Sequence, residues 1–318
     1  RDGKLVFSER YPRNYDSISS GFDMRPHQFN YQHPDWHPFY MGQDLHSLQS
    51  VTKSVTSALI GIAIGRGELP GVDAPLLPLL SEYDTSGTDE RLERATLEDL
   101  LTMRLGIEWH ERDRPIGPEN TTIQLEFSED WVEFTLSQPM DAVPGERFVY
   151  NSGASHLMSA IVRSATGRTV DLYAEEHLFG PLGIDSYHWK REPAGLPDTE
   201  GGLYLEAEDL ARIGQLYLND GLWRGVRLLP EGWVEASVSR HVDDVAPENP
   251  NWTAGYGYQW WRVDSDGVEV WAGLGYGGQY LLVLPDQRLV GVANSWNVFG
   301  PHTQVFGAFL EALIESAR

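Results

Sequence analysis

The chain has 318 residues, with 24 Lys plus Arg against 47 Asp plus Glu, a formal net charge of −23. A 41% hydrophobic content excludes a disordered chain, and the acidic balance without a basic stripe excludes nucleic acid or an anionic membrane surface as a partner. Cysteine is absent, which excludes disulfides, thiolate metal sites and Cys nucleophiles. Of the cations only Lys4, Lys53 and Lys190 are lysines, so the position of each lysine is informative.

In chain order, Gly3 to Tyr11 reads as a short β-like run. Residues 12–46, rich in Pro, Asn, His and aromatics, read as a long irregular segment. From about Ser47 to Arg66 the apolar residues Val51, Val55, Ala58/Leu59 and Ile62/Ala63 recur at helical spacing, and Gly65 and Gly67 mark the end. The longest uncharged apolar stretch, Ala58 to Gly65, is far short of the roughly 20 residues that span a bilayer. Thr96 with Asp99 three residues on predicts a capped helix. Further helices are expected from about Ser155 to Thr166, over Glu206 to Asn219, and over Thr303 to Ala317. Between the last two, Tyr256 to Trp261, Val268 to Trp271, Tyr280 to Leu284 and Leu289 to Ala293 are β-rich and separated by turn signals, which predicts an antiparallel meander. The expected fold class is α+β: an antiparallel sheet flanked by helices, with an inserted mainly helical lobe. The whole chain, 1–318, is then one catalytic unit, with a sheet lobe over about 1–46 and 200–318 and a helical lobe over about 47–199. A cleft between such lobes is a usual place for a site.

Three constellations carry chemistry. Ser50-Val-Thr-Lys53 stands at the start of the strongest helix, and residues i and i+3 share a helix face, so the lysine amine reaches the serine hydroxyl. A serine hydroxyl needs a neighbouring base, and a desolvated lysine, or a phenolate held by one, can serve. The first N–H groups of the helix have no intrahelical partner and can face an oxyanion. The second constellation is Tyr150-Asn151-Ser152, in a Gly/Pro-bounded segment that leads into a helix. Its phenol can relay a proton if a cation lowers its pKa. The third is Trp271-Ala-Gly-Leu-Gly-Tyr-Gly-Gly-Gln279. Gly273, Gly275 and Gly278 formally fit G-x-G-x-x-G, but a strand follows instead of a helix, so a dinucleotide site is rejected. Glycines between strands let a backbone pass close to a ligand.

Together these segments resemble the serine β-lactamase and penicillin-binding-protein superfamily, in the branch of class C-like esterases and 6-aminohexanoate-dimer hydrolase relatives. The likeness extends through Leu101-Thr-Met-Arg-Leu-Gly-Ile-Glu-Trp, Phe179-Gly-Pro-Leu-Gly-Ile, Asp209-Leu-Ala-Arg-Ile-Gly-Gln-Leu-Tyr-Leu and Tyr256-Gly-Tyr-Gln-Trp-Trp, nearly the whole chain. It implies an acyl-enzyme hydrolase without a cofactor, with Ser50 as nucleophile, Lys53 as its partner and Tyr150 as proton shuttle. The backbone N–H groups of Ser50 and Gly275 would form the oxyanion hole. The implied partner is a small-molecule ester or amide substrate.

The likeness departs in two places. The usual Tyr-x-Asn has Ser152 at its third position, where it would face the substrate. The third motif of β-lactamases, Lys-Thr-Gly or His-x-Gly, is replaced by Trp271-Ala-Gly-Leu, which has no cation. That favours an esterase or amidase whose substrate needs no carboxylate, with Trp271 and Tyr276 lining an acyl pocket. A β-lactamase, a D,D-peptidase or an acyltransferase of the same mechanism is the first alternative. A non-catalytic member that binds acyl or peptidoglycan-like ligands is the second. A metal hydrolase built on His27, His33, Asp35 and His37 is the third, and it is disfavoured because three prolines interrupt that segment. The acidic cluster Glu126 to Glu133 reads as a solvated face. No signal-peptide pattern follows Arg1, and a secreted or periplasmic location is favoured over a cytoplasmic one.

Overall fold

The computed structural model describes residues 1–11, 20, 31, 33, 37–245, 253–295 and 305–317. Its strands are β1 (His46–Ser47), β2 (His188–Trp189), β3 (Leu203–Leu205), β4 (Leu222–Trp223), β5 (Val226–Arg227), β6 (Thr253–Tyr256), β7 (Trp261–Ser265), β8 (Val268–Gly275), β9 (Gln279–Leu284) and β10 (Leu289–Ala293). Its main helices are α1 (Val51–Gly65), α2 (Leu97–Leu101), α3 (Thr121–Phe127), α4 (Trp131–Ser137), α5 (Ser152–Thr166), α6 (Val170–Ala174), α7 (Ala207–Leu218), α8 (Trp233–Val238) and α9 (Phe306–Ala317).

An antiparallel sheet in the order β10-β9-β8-β7-β6 is the platform of the molecule. All six residues of β9 are buried because both faces of the sheet are covered. Tyr280, Leu282 and Leu284 pack with Phe306, Leu310 and Ile314 of α9. On the other face Leu281 joins the larger core built by α1, α5 and α7. Gly214 of α7 is a contact point there: a Cβ on it would lie 2.6 Å from Val290 and 2.8 Å from Leu281. A second, three-stranded sheet in the order β1-β3-β2 ties the entrance of α1 to the middle of the chain. The mixed helix and antiparallel-sheet class is the one read from the sequence.

Two expectations change. Residues 1–11 form no strand, and Leu5, Val6 and Phe7 are exposed. A strand needs another strand's edge, and this run is instead tethered at its first residues, where Asp2 N donates to the Arg288 carbonyl and Arg288 Nε donates to Asp2 Oδ1. All five strands of the large sheet therefore come from residues 253–293. The run Tyr256 to Trp261 is also not one strand. Gly257 N donates to the Trp260 carbonyl at 2.8 Å and turns the chain between β6 and β7, with Gln259 in the left-handed region (φ +61°).

Candidate active site

Helix α1 begins later than its apolar pattern suggests. Ser47 belongs to β1, paired with Tyr204 of β3, and Gln49 adopts φ +50°. A positive φ is costly for a residue with a Cβ, so this turn is held by its surroundings. Leu48 N donates to the Leu203 carbonyl at 2.9 Å, and Leu203 N donates to Thr52 Oγ1 at 3.2 Å. Ser50 is thereby fixed as the residue that caps α1, and its hydroxyl is not spent on capping the helix.

One turn later, Lys53 Nζ donates to Ser50 Oγ at 2.9 Å. Its other two donors go to the Glu200 carbonyl at 2.6 Å and to Glu200 Oε2 at 3.1 Å. Three acceptors match the three protons of an ammonium. Burial opposes that charge, but Tyr150, Glu200 and Glu111 prevail and hold the Lys53 pKa above the ordinary lysine value.

Tyr150 lies across the same lysine, with Nζ 5.3 Å from its ring centroid, and the Ser50 hydroxyl is among the groups that act on its phenol. Its ring stacks on Trp261 at 5.8 Å and meets Tyr256 edge-on at 6.4 Å. Burial raises its phenol pKa, with Glu111 and Glu200 adding to the effect and the Lys53 ammonium opposing it. Asn151 caps α5 by accepting from Ala154 N at 2.8 Å. Ser152 is buried, and its hydroxyl donates to Glu111 Oε1 at 2.8 Å while its N–H donates to Oε2 at 2.9 Å. Trp109 Nε1 also donates to Glu111, at 3.0 Å. Ser152 thus anchors a carboxylate that acts on Lys53 and Tyr150 through space.

Strand β8 closes the other side. Its pairing with β7 stops at Ala272, while its pairing with β9 runs on to Gly275, so residues 273–275 pass the α1 entrance without a β7 neighbour. A Cβ on Gly273 would lie 3.0 Å from Val51, and one on Gly275 would collide with the Leu48 carbonyl and come within 3.1 Å of Gln49. Only glycine permits this approach. Trp271, four residues earlier on the same face, is about 13 Å away along the strand. It packs against the core, with its indole N–H on Glu269 at 2.6 Å. Tyr276 is exposed in the turn after Gly275. Gln279–Leu284 is a strand, as the rejection of a dinucleotide site required.

A cleft of about 480 Å³ opens beside Tyr150, bordered by Trp109, His110, Arg112, Asp113, Phe148 and Arg147 among others. The Arg112 guanidinium sits 5.3 Å over the Trp261 ring. A cation therefore does stand beside the site, contributed by a loop and not by β8.

Sequence reasoning missed several residues. Glu111 and Glu200 reach the site only through the fold. Glu126, read as solvated, is buried, whereas Glu129 and Glu133 of the same cluster are exposed. Gln259 braces the site from below: it accepts from Ser54 Oγ through its carbonyl at 2.7 Å and from Ser155 Oγ through Oε1 at 2.7 Å, and Nε2 donates to Leu101 O at 3.0 Å. Its place in Tyr256-Gly-Tyr-Gln-Trp-Trp was the available signal. His27 and Asp35 lie outside the described residues. Among the described residues no group of three or more His, Cys, Asp or Glu is arranged to hold a metal ion, and no helix is long and apolar enough to cross a membrane.

The family model described as Beta-lactamase matches residues 2–313. The chain belongs to the Beta-lactamase family. Within that family it is 26% identical over 270 residues to the 6-aminohexanoate-dimer hydrolase of Paenarthrobacter ureafaciens, covering 80% of this chain and 67% of the relative. Its fold matches the D-stereospecific amidohydrolase of Streptomyces sp. with a TM-score of 0.64 at 21% identity, covering 86% and 87% of the two chains. It matches a family VIII carboxylesterase with a TM-score of 0.65 at 13% identity, covering 86% and 84%. The protein is a Beta-lactamase-fold member with hydrolases among its relatives.

Proposed function

We propose that this protein is a serine hydrolase that forms an acyl-enzyme through Ser50 and cleaves a carboxylic ester or a small amide. The observation that carries this reading is the 2.9 Å contact of Lys53 Nζ with Ser50 Oγ at the start of α1, with Tyr150 against the same ammonium. Ser50 Oγ attacks the carbonyl carbon as its proton passes to the Tyr150–Lys53 pair, and the backbone N–H groups of Ser50 and Gly275 hold the oxyanion. The pair returns the proton to the leaving oxygen or nitrogen as that bond breaks. Water then attacks the acyl carbon by the same route and frees Ser50. No step calls for a cofactor. Lys53 and Tyr150 both hold their protons at rest, so one must be lost before attack and the rate rises with pH until the pair has given it up. A relative named as a 6-aminohexanoate-dimer hydrolase, with an amidohydrolase and a carboxylesterase among the fold neighbours, supports this choice of substrate classes.

The test is initial rates on p-nitrophenyl butyrate and a chromogenic cephalosporin, with Ser50→Ala as the blank. Ester turnover that falls on the order of 10⁴-fold or more in the variant supports the reading. Full turnover in Ser50→Ala would overturn it. Arg112 beside the cleft favours one second reading, a β-lactamase or D,D-peptidase that anchors a substrate carboxylate there. Cephalosporin turnover faster than ester turnover is its signature.

A further inference from the structure

Lys53 and Lys190, two of the three lysines of the chain, are both buried, and they stand at the two ends of one polar cluster. At one end Lys53 pairs with Glu200, the side chains 2% and 6% exposed. At the other, Lys190 Nζ pairs with Asp198 Oδ2 at 3.3 Å and lies 4.5 Å over the Tyr31 ring and 4.8 Å over the Trp131 ring. Between them the Tyr31 hydroxyl reaches Asp198 Oδ2 at 2.8 Å, Glu126 Oε1 at 3.3 Å and, more closely still, Glu200 Oε1. Three carboxyl groups, Glu126, Asp198 and Glu200, thus converge on one phenol between the two lysines. Burial raises Glu126 well above the usual range, with Lys190 opposing and Glu200 and Asp198 adding to the effect, so Glu126 is held toward its neutral form. Glu200 remains a carboxylate: burial opposes it, but Lys53 and the hydrogen bond from Tyr31 help bring it down to about 2.

The local fold is built to present Glu200. Asp198 Oδ1 accepts from the backbone N–H groups of Glu200 and Gly201, each at 3.0 Å. This turn leads straight into β3, the strand that also holds the α1 entrance. One strand end thus fixes both the serine and the residue that grips its lysine.

We propose that Glu200 is the positioning residue of the Ser50–Lys53 pair, its carbonyl and carboxylate together holding Nζ against Ser50, with the Tyr31 hydroxyl bracing the far side of that carboxylate. This rests on the serine-hydrolase reading and adds to it a residue that never touches substrate. The groups that face Lys53 are Ser50, Tyr150, Glu111 and Glu200. Of these, Glu200 alone bonds to Nζ through two oxygens.

The experiment uses the small number of lysines. Protein labelled with ¹³Cε-lysine gives one signal per lysine, and Lys53 is assigned by its loss in Lys53→Met. The same samples are treated with a fluorophosphonate probe across a pH series. In the wild type the Lys53 signal stays in its charged form to about pH 10. In Glu200→Gln it titrates lower by about one unit or more, and the rising limb of probe labelling moves to lower pH with it. Glu126→Gln, which replaces one neutral side chain by another, leaves both where they were. A limb unmoved in Glu200→Gln, with only a uniform drop in labelling, overturns the proposal. So does a wild-type Lys53 that loses its charge below neutral pH, a result that stands even where the variant fails to fold. Wild-type protein whose Ser50 takes no probe at any pH overturns the serine-hydrolase reading instead, while the lysine titration still reports on Glu200.

Discussion

In the proposed mechanism Tyr150 carries a proton between Ser50 and a leaving group; the Lys53 ammonium lies beside its ring and Trp261 is stacked behind it. Replacing Tyr150 by Phe keeps the stack and removes only the acidic hydrogen. The expected outcome is a kcat lower by about 10²- to 10⁴-fold with KM nearly unchanged, measured on p-nitrophenyl butyrate. A rise in KM with kcat intact would assign the phenol to substrate recognition. Residues of this kind differ in how far a sequence exposes them. Ser50 and Lys53 are legible because helical geometry alone brings i and i+3 together. Tyr150 is legible only in company with them. Glu200 and Glu111 are not legible, because each reaches Lys53 across a long loop closure that no local spacing encodes. Glu126 is misread for a related reason: an acid flanked by Leu125 and Phe127 looks like the wet side of a helix until its buried partners are known.

At the scale of the element, β8 and the entrance of α1 act as one unit. Gly275 lets the strand lie against the Leu48 carbonyl, two residues before Ser50. Gly275→Ala is expected to cost about 1–3 kcal/mol in urea unfolding and to lower kcat, because the strand must retreat from Ser50. Gly307→Ala in α9, where a Cβ meets nothing within 4 Å, is the matched control and leaves kcat unchanged. Equal effects of the two substitutions would detach β8 from catalysis. Helix positions were well marked in the sequence, and the Thr96–Asp99 capping box is present as read. Strand limits were not. Trp271-Ala-Gly-Leu-Gly reads as a turn because it is glycine-rich, yet it is the end of an eight-residue strand whose glycines serve close packing.

Across the whole molecule, burial sets how stability depends on pH. His37, His46 and His188 are held below the ordinary imidazole value by desolvation, His37 down to about 3, and His37 and His188 both pack on Tyr204. Neutral in the folded state, they bind protons on unfolding. The unfolded chain therefore holds more protons between about pH 6.5 and pH 3, and stability is lost as the pH falls through that window. Glu126 acts with the opposite sign, since its raised pKa contributes stability at low pH that is lost as the pH rises through the folded value. The histidine contribution is read by difference. Between about pH 7 and pH 5, His37→Phe is expected to lose about 2 kcal/mol less unfolding free energy than the wild type. Parallel losses would mean that His37 is already charged in the fold. The class of fold was legible from the alternation of helical and β-rich segments. The N-terminal strand was not a sound expectation, because an apolar run specifies a strand only where an edge is there to receive it.

The central claim is that Ser50 becomes acylated. Intact-protein mass spectrometry during turnover of p-nitrophenyl butyrate, stopped by acid and followed by peptide mapping, tests it most directly. The account predicts a butyryl adduct on the peptide carrying Ser50 in the wild type and its absence in Ser50→Ala. Steady turnover with the adduct on another residue, or unchanged turnover in Ser50→Ala, would contradict it.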